Sequence, residues 1–392
     1  MSPTVSGYRF VLRTPGAAAF FFTAAAGRAG IAMTGLGLIW LLHARTGSYT
    51  TAGLAAAGFA LAEAVAGPQL ARLVDRFGQT RVLPFSVATH GIAIAGVLVT
   101  PTPAAIASAV CAGAAVPQLG ALSAARWAHL LRERRADELP TAFSLESLAN
   151  ATAFLLGPVL VTALGAAGHA TLASAVAAAL IVGGGAALAI QRRTAPPPAR
   201  ERAHPVLLRP RFLRLGLLNL AVGLYFGTMG VSVSAFATEH GVPGAAAPIV
   251  AAAGIGSLVS GWLYGLRRHR APARLQLVVA TAYLTTTALL LPLAPTATWL
   301  GIAVVVNEAA VPPTLVLLNV LTEKAVPLAV LTQAFTWNNS LSTAGSALAA
   351  FVAGRTTDGL GASTAFALAP AAGFVLLVLS VLHWRCTTHE MA

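Results

Sequence analysis

Charge is scarce in this chain. Only 9% of its 392 residues are Asp, Glu, Lys or Arg, while 57% are apolar. A soluble domain carries about 25% charged residues, so a folded water-soluble protein of this size is nearly excluded. Disorder is excluded from the other side, because disordered chains are poor in apolar residues. Cysteine is also scarce. The two present, Cys111 and Cys386, are too few and too far apart for a disulfide framework or a Cys-rich zinc site. The sequence also lacks metal-ligand spacing, a phosphate-cradling P-loop and a G-x-S-x-G elbow. No cofactor and no enzymatic activity are therefore expected. An ATP-driven pump is disfavoured, since no soluble nucleotide domain is there to drive it.

What the chain does have is long apolar runs, each about 20 residues, enough to cross about 30 Å of hydrocarbon at 1.5 Å per residue. Twelve are read: 16–42, 50–71, 82–100, 103–125, 141–165, 169–190, 212–237, 245–266, 275–293, 298–321, 332–354 and 362–384. They show neither the ten-residue length nor the alternation of β-barrel strands. The fold class expected is an all-α membrane protein with twelve transmembrane helices. No small-residue cleavage site follows the first run, which is read as a retained helix and not a signal peptide.

The net charge of +13 first suggests a nucleic-acid partner. Its distribution says otherwise. With the N-terminus inside, 22 of the 25 basic residues fall on inner loops, among them Arg134, Arg200, Arg202 and Arg268. Arg45 and Arg355 fall on outer loops, and Arg28 lies inside a run. Basic residues near helix ends resist translocation, so a multi-pass protein of the cytoplasmic (inner) membrane with both termini cytoplasmic is expected. No nucleic-acid recognition module accompanies the arginines.

The longest connection, 191–211, is rich in Pro and Arg and reads as a cytoplasmic linker. It separates an N-terminal six-helix bundle (1–190) from a C-terminal one (212–392). Residues 55–67, AAAGFALAEAVAG, match 249–261, IVAAAGIGSLVSG, at an offset of 194, which also pairs Gly47 with Gly241. Val116-Pro117 matches Val311-Pro312, and Ala142-Phe143 matches Ala334-Phe335, at nearly the same offset. A parallel six-plus-six repeat follows.

The loop after the second run reads Ala71-Arg-Leu-Val-Asp75-Arg76-Phe-Gly78-Gln-Thr-Arg81. With twelve runs and the repeat, it resembles the signature loop of the major facilitator superfamily, Gly-x-x-x-Asp-Arg-x-Gly-x-x-basic. Asp75, Arg76, Gly78 and Arg81 match, while Ala71 departs from the opening Gly. A degenerate second copy stands at Gly261-Trp-Leu-Tyr-Gly265-Leu-Arg267-Arg268. The resemblance covers nearly the whole chain. It implies a cytoplasmic gate at Asp75, Arg76, Gly78 and Arg81, and a cavity lined by the first, fourth, seventh and tenth helices. Gly78 is suited to the φ > 0 that a tight turn requires. Within the superfamily the chain looks most like bacterial drug-efflux members, with Gly157-Pro158 similar to an exporter's helix break. The fourth run lacks the arginine of many proton antiporters.

An ionisable group at mid-bilayer costs several kcal/mol unless paired or hydrated. Arg28 and Glu63 lie at equal distances from the first outer turn, so an Arg28–Glu63 ion pair near the midplane is expected, whether as a static lock or as a substrate or proton site. Glu308 with Asn307 is the other deep carboxylate, beside Pro312-Pro313, which should break that helix. Arg126 and Glu146 are expected to face each other near the cytoplasmic side as part of the gate. Asn150, Gln118, Tyr225, Met33, Met229, Trp337 and Asn338 complete the candidate lining. For the methionines plain packing is the commoner reading. His90 is read as a packing histidine before a proton relay.

The function expected is secondary active transport of a small organic molecule by alternating access, in the export direction, with protons as a possible coupling ion. The partners expected are that substrate and membrane lipids, around a monomer. An importer of a nutrient or metal complex is the alternative within transport. A membrane enzyme or a non-transporting receptor is the alternative outside it.

Overall fold

The computed structural model describes residues 6–133, 135–199, 206–267, 269–361, 364 and 366–389, and among these no strand occurs. Arg134, Arg200, Arg202 and Arg268, with part of the central connection, lie outside the described residues. In hydrocarbon every backbone N–H and C=O needs a partner within its own segment, and this Ala- and Leu-rich chain meets that demand with helices.

A short α1 (Ser6–Leu12) precedes α2 (Ala17–Thr46), α3 (Tyr49–Phe77) and α4 (Gln79–Val99). The fourth run is split into α5 (Thr102–Ala114) and α6 (Leu119–Leu131). Then come α7 (Leu139–Ala166), α8 (Ala170–Ile190), α9 (Pro210–Glu239), α10 (Ala246–Leu266) and α11 (Ala273–Ala288). The tenth run is split into α12 (Ala297–Glu308) and α13 (Val311–Ala325), followed by α14 (Leu331–Leu360) and α15 (Leu368–His389). Among the described residues each of the twelve apolar runs contains helix. Among the described residues ten stretches are long and apolar enough to cross a membrane, each split run counting as one. The 16-residue α11 and the Asn- and Thr-bearing α14 fall outside that set.

The chain divides into two compact units. The first is Met1–Ala142, Ala149–His204 and Pro327–Thr336; the second is Phe143–Leu148, Pro205–Val326 and Trp337–Ala392. Within the first unit α2 packs on α8, and α3 and α4 pack on α5. Within the second, α9 and α11 pack on α15, while α10 packs on α12. Shifted by half the chain, the α2–α8 pairing corresponds to α9–α15 and α3–α5 to α10–α12, as the repeat requires. Gly47 and Gly241, matched by sequence, both adopt positive φ, 66° and 70°, where a side chain would clash with the following carbonyl.

The outer faces remain apolar. On α4, Phe85, Ile92 and Val99 are spaced seven apart and all lie more than 70% exposed. Such a row suits lipid contact and would be an aggregation liability in water.

Candidate functional site

The first unit concentrates its deep polar groups where α5 stops and α6 starts. Pro117 has no N–H to continue the helix, and α5 ends there with tightened backbone bonds to the Ala112 and Gly113 carbonyls. Helix α4 adds side-chain donors. Ser86 Oγ donates to the Ala115 carbonyl at 2.8 Å, and His90 Nδ1 bonds the Ala112 carbonyl at 2.9 Å. A carbonyl can only accept, so His90 carries a proton on Nδ1 and gives it to backbone. The break in the fourth run was not foreseen, although Pro117 was its visible signal.

The break also draws in the mid-helix charged residues Arg28 of α2 and Glu63 of α3. Glu63 was expected to pair with Arg28; the hydrogen-bond partner it has is the Gln118 side chain, just before α6. Gln118 lies over one face of α3, its Nε2 3.0 Å from where a Cβ on Gly67 would stand. Arg28 is buried, and its Cδ lies 3.5 Å from the corresponding point on Gly120, in the first turn of α6. Arg28 and Glu63 therefore reach the same break from two helices, at positions two residues apart along it.

The second unit repeats the device with its parts exchanged. The tenth run breaks after Glu308, as Pro312-Pro313 predicted, and the prolines occupy the first turn of α13, where a missing N–H costs little. Ser257 of α10, the repeat-mate of Glu63, lies 3.3 Å from both the carbonyl and Oε2 of Glu308, and Ser260 donates to the Ala309 carbonyl. Tyr225 of α9 bonds Asn307 Oδ1 and, at 3.0 Å, Glu308 Oε1. Tyr283 of α11 donates to the Val306 carbonyl at 3.1 Å, matching the His90–Ala112 contact at nearly the repeat offset. Each unit thus sets one carboxyl at a helix break. In the first it comes from the neighbouring helix, in the second from the broken helix itself.

The residues expected at the gate fall into two groups. Arg126 is wholly buried on α6 and was expected to face Glu146; its guanidinium goes elsewhere. Nε donates to Gln79 Oε1 at 2.8 Å, Nη1 to Thr194 Oγ1 at 2.7 Å and the Gln191 carbonyl at 2.9 Å, and Nη2 to the Leu188 carbonyl at 2.9 Å. Leu188 and Gln191 stand at the C-terminal, negative end of α8, which favours a cation there. Arg45 treats the end of α4 likewise, bonding the carbonyls of Val97 and Leu98, which gives a structural task to one of the two arginines expected on outer loops. Glu146 is buried on α7.

Asp75 lies at the last turn of α3 and serves as an N-cap from outside the helix it caps. Its Oδ2 accepts from the Gln333 N–H at 2.8 Å, and its carboxyl also bonds Thr332. These are among the orphan donors that open α14. Gly78 takes φ 93° and is the sole residue between α3 and α4. Arg76 and Arg81 are exposed, Arg76 lying over the Phe77 ring. Asp75→Ala is expected to remove a cap worth about 1 kcal/mol, more than Asp75→Asn, because Asn is also a good capping residue. Melting of the purified variants checks the order; equal loss in both would mean that charge, not capping, is what Asp75 provides.

The remaining candidates scatter. Met33 is buried against Val161, Ala173 and Ala177, and Met229 lies in the core of the second unit, both as packing residues. Asn150 is exposed on α7. Asn338 is buried and donates to Thr322 Oγ1 at 2.8 Å, while Trp337 beside it is half-buried. Ser86, Ser257, Ser260, Thr287 and Gln79 were not singled out in advance. Ser, Thr and Gln are too common in membrane helices to stand out until the carbonyl each one satisfies is known.

The sequence matches the profile of the Major Facilitator Superfamily over residues 19–350. No curated relative matches it in sequence. Among solved structures, a bacterial homologue of the iron transporter ferroportin aligns with TM-score 0.76 at 14% identity, covering 94% of this chain and 99% of that one. The fucose:proton symporter of E. coli aligns with TM-score 0.70 at 14% identity, covering 97% and 99%. A human organic anion transporter aligns with TM-score 0.69 at 14% identity, covering 93% and 98%. At such identities these likenesses speak for the fold, and the profile match speaks for the family. This chain belongs to the Major Facilitator Superfamily, as a multi-pass membrane transporter and not an enzyme.

Proposed function

We propose that this transporter exports a small, largely apolar organic molecule from the cytoplasm by alternating access. The six-helix halves 1–190 and 212–392 would be the moving bodies, joined by the linker 191–211. The observation that supports this most is the paired helix breaks, each with one carboxyl at hand, Glu63 beside Gln118 with Arg28 close by at the first and Glu308 beside Tyr225 and Ser257 at the second. Broken helices are where transporters expose backbone and side-chain polar groups to a ligand at membrane depth. Surroundings rich in Tyr, Met, Ala and Leu suit a cargo with much apolar surface. Export is favoured by Gly157-Pro158 on α7, the exporter-like pair, where a Cβ on Gly157 would come within 3.2 Å of Ala32 Cβ on α2. The arginine distribution supports cytoplasmic termini in the inner membrane.

The test is a thermal-melt screen of the purified protein against drugs, sugars and amino acids. Counterflow in proteoliposomes then follows for whichever compound raises the melting temperature. Saturable exchange of a hydrophobic or amphipathic compound is expected. Exchange restricted to sugars or amino acids would overturn the assignment of cargo, and no exchange with any stabilising compound would overturn transport of that class altogether.

A further inference from the structure

Around the second helix break, the hydrogen bonds can be counted proton by proton. Thr287 on α11 donates its hydroxyl proton to the Tyr283 carbonyl at 2.8 Å, so its oxygen is left to accept. Asn307 Nδ2 donates to that oxygen and to the Leu284 carbonyl, both at 2.7 Å. Because the Leu284 carbonyl can only accept, the amide cannot be turned round, and both of its N–H donors are used. Asn307 Oδ1 therefore faces Tyr225 as an acceptor. The single hydroxyl proton of Tyr225 goes to it. The Tyr225 oxygen then has only lone pairs to present to Glu308 Oε1, 3.0 Å away. Two oxygens without a proton between them repel at that distance, and an O–H on Glu308 makes the contact a hydrogen bond. Ser257 supplies the other side, 3.3 Å from Glu308 Oε2.

From this count we infer that Glu308 is held as a neutral carboxylic acid in this conformation and that its proton sets the direction of the Tyr225 hydroxyl. The inference deepens the transport reading and rests on it for its use in a cycle. When Glu308 gives its proton to water, the carboxylate becomes the stronger acceptor, and the Tyr225 proton turns from Asn307 to Glu308. Asn307 Oδ1 then loses its donor from α9. One proton leaves the string, and the contact between α9 and the end of α12 changes partner. Glu308 faces one titratable group, Tyr225 from α9. From α10 it faces the neutral Ser257, and α11 acts only through Asn307. Among the described residues no charged side chain acts on the Glu308 carboxyl. Glu63 shows no such string: its partner is Gln118, whose amide offers both N–H donors and an acceptor and so fixes no order of protons.

Infrared difference spectroscopy of the full chain in lipid, stepped from neutral to alkaline pH, tests this with the proton as the probe. The wild type is expected to show the C=O stretch of a protonated carboxyl at neutral pH, shifted in D2O and lost on the alkaline step. Glu308→Gln should remove a component of that band which Glu63→Gln keeps. Tyr225→Phe removes the acceptor of the Glu308 O–H and should move the band in frequency without abolishing it. A band that Glu308→Gln leaves unchanged, or a Glu308 component that Tyr225→Phe leaves unmoved, overturns the inference. The Tyr225 variant keeps the test open should Glu308→Gln fail to fold. The spectrum needs no cargo, so failure here is separable from failure of the counterflow assay, which tests the transport reading.

Discussion

Replacing Arg126 with alanine is expected to lower the melting temperature of the purified protein by roughly 10 °C, at about 2–3 °C per kcal/mol for a chain of this size. The cost follows from what the guanidinium leaves behind. Gln79 Oε1 and the carbonyls of Leu188 and Gln191 lose a charged donor inside the bundle, and each orphaned acceptor costs about 1–3 kcal/mol. A cavity the size of the side chain adds to this, because Arg126 is fully buried beside Phe20 and Trp127. Part of the loss is offset, since the desolvation of the charge disappears with it. A total of about 4 kcal/mol remains, a large fraction of ordinary stability. Arg126→Lys should recover only part, because an ammonium cannot span Gln79, Thr194 and two carbonyls in the fork geometry of a guanidinium. Detergent-solubilised melts followed by tryptophan fluorescence report this directly, Trp127 being the neighbouring residue. Wild-type melting in Arg126→Ala would show that the acceptors re-pair without help.

Glu63→Gln is expected to reduce transport by tenfold to a hundredfold with the protein still folded. A hydrogen bond to a charged group contributes about 1.5–3 kcal/mol, and 1.4 kcal/mol is tenfold. Glutamine keeps the shape of the side chain and an oxygen for Gln118, so packing at the first break should persist. What disappears is the negative charge and the ability to exchange a proton. Initial rates of counterflow and of pH-gradient-driven uptake, measured on the same reconstituted preparation, separate the two. Loss of both assigns Glu63 to cargo binding; loss of the driven rate alone assigns it to coupling; full activity in both removes it from the mechanism.

Much of the fold was legible because the bilayer imposes a simple demand. Twelve runs of sufficient length, an offset of half the chain and prolines at matching places follow from the need to cross hydrocarbon with every backbone group paired. Gly78 at φ 93° and the break before Val311 were readable for the same kind of reason, since only certain residues permit those backbones. Partner choice was not legible. Equal distance from a turn places Arg28 and Glu63 at equal depth but says nothing about rotation around each helix axis. In a soluble helix an apolar stripe would reveal that rotation. Here core face and lipid face are both apolar, and the pattern that marks azimuth is nearly erased.

By itself, then, the sequence determined the membrane class, the number of crossings, the repeat, the signature loop and the residues too polar for their depth. The tertiary structure alone decided what those residues meet. It joined Glu63 to Gln118, turned Arg126 onto the carbonyls at the end of α8, gave His90 to a broken helix, and locked the Asn307 amide so that Tyr225 and Glu308 must share protons in one order. Depth follows from one-dimensional spacing along the chain, whereas hydrogen-bond partnership depends on which helix faces converge, and only packing establishes that.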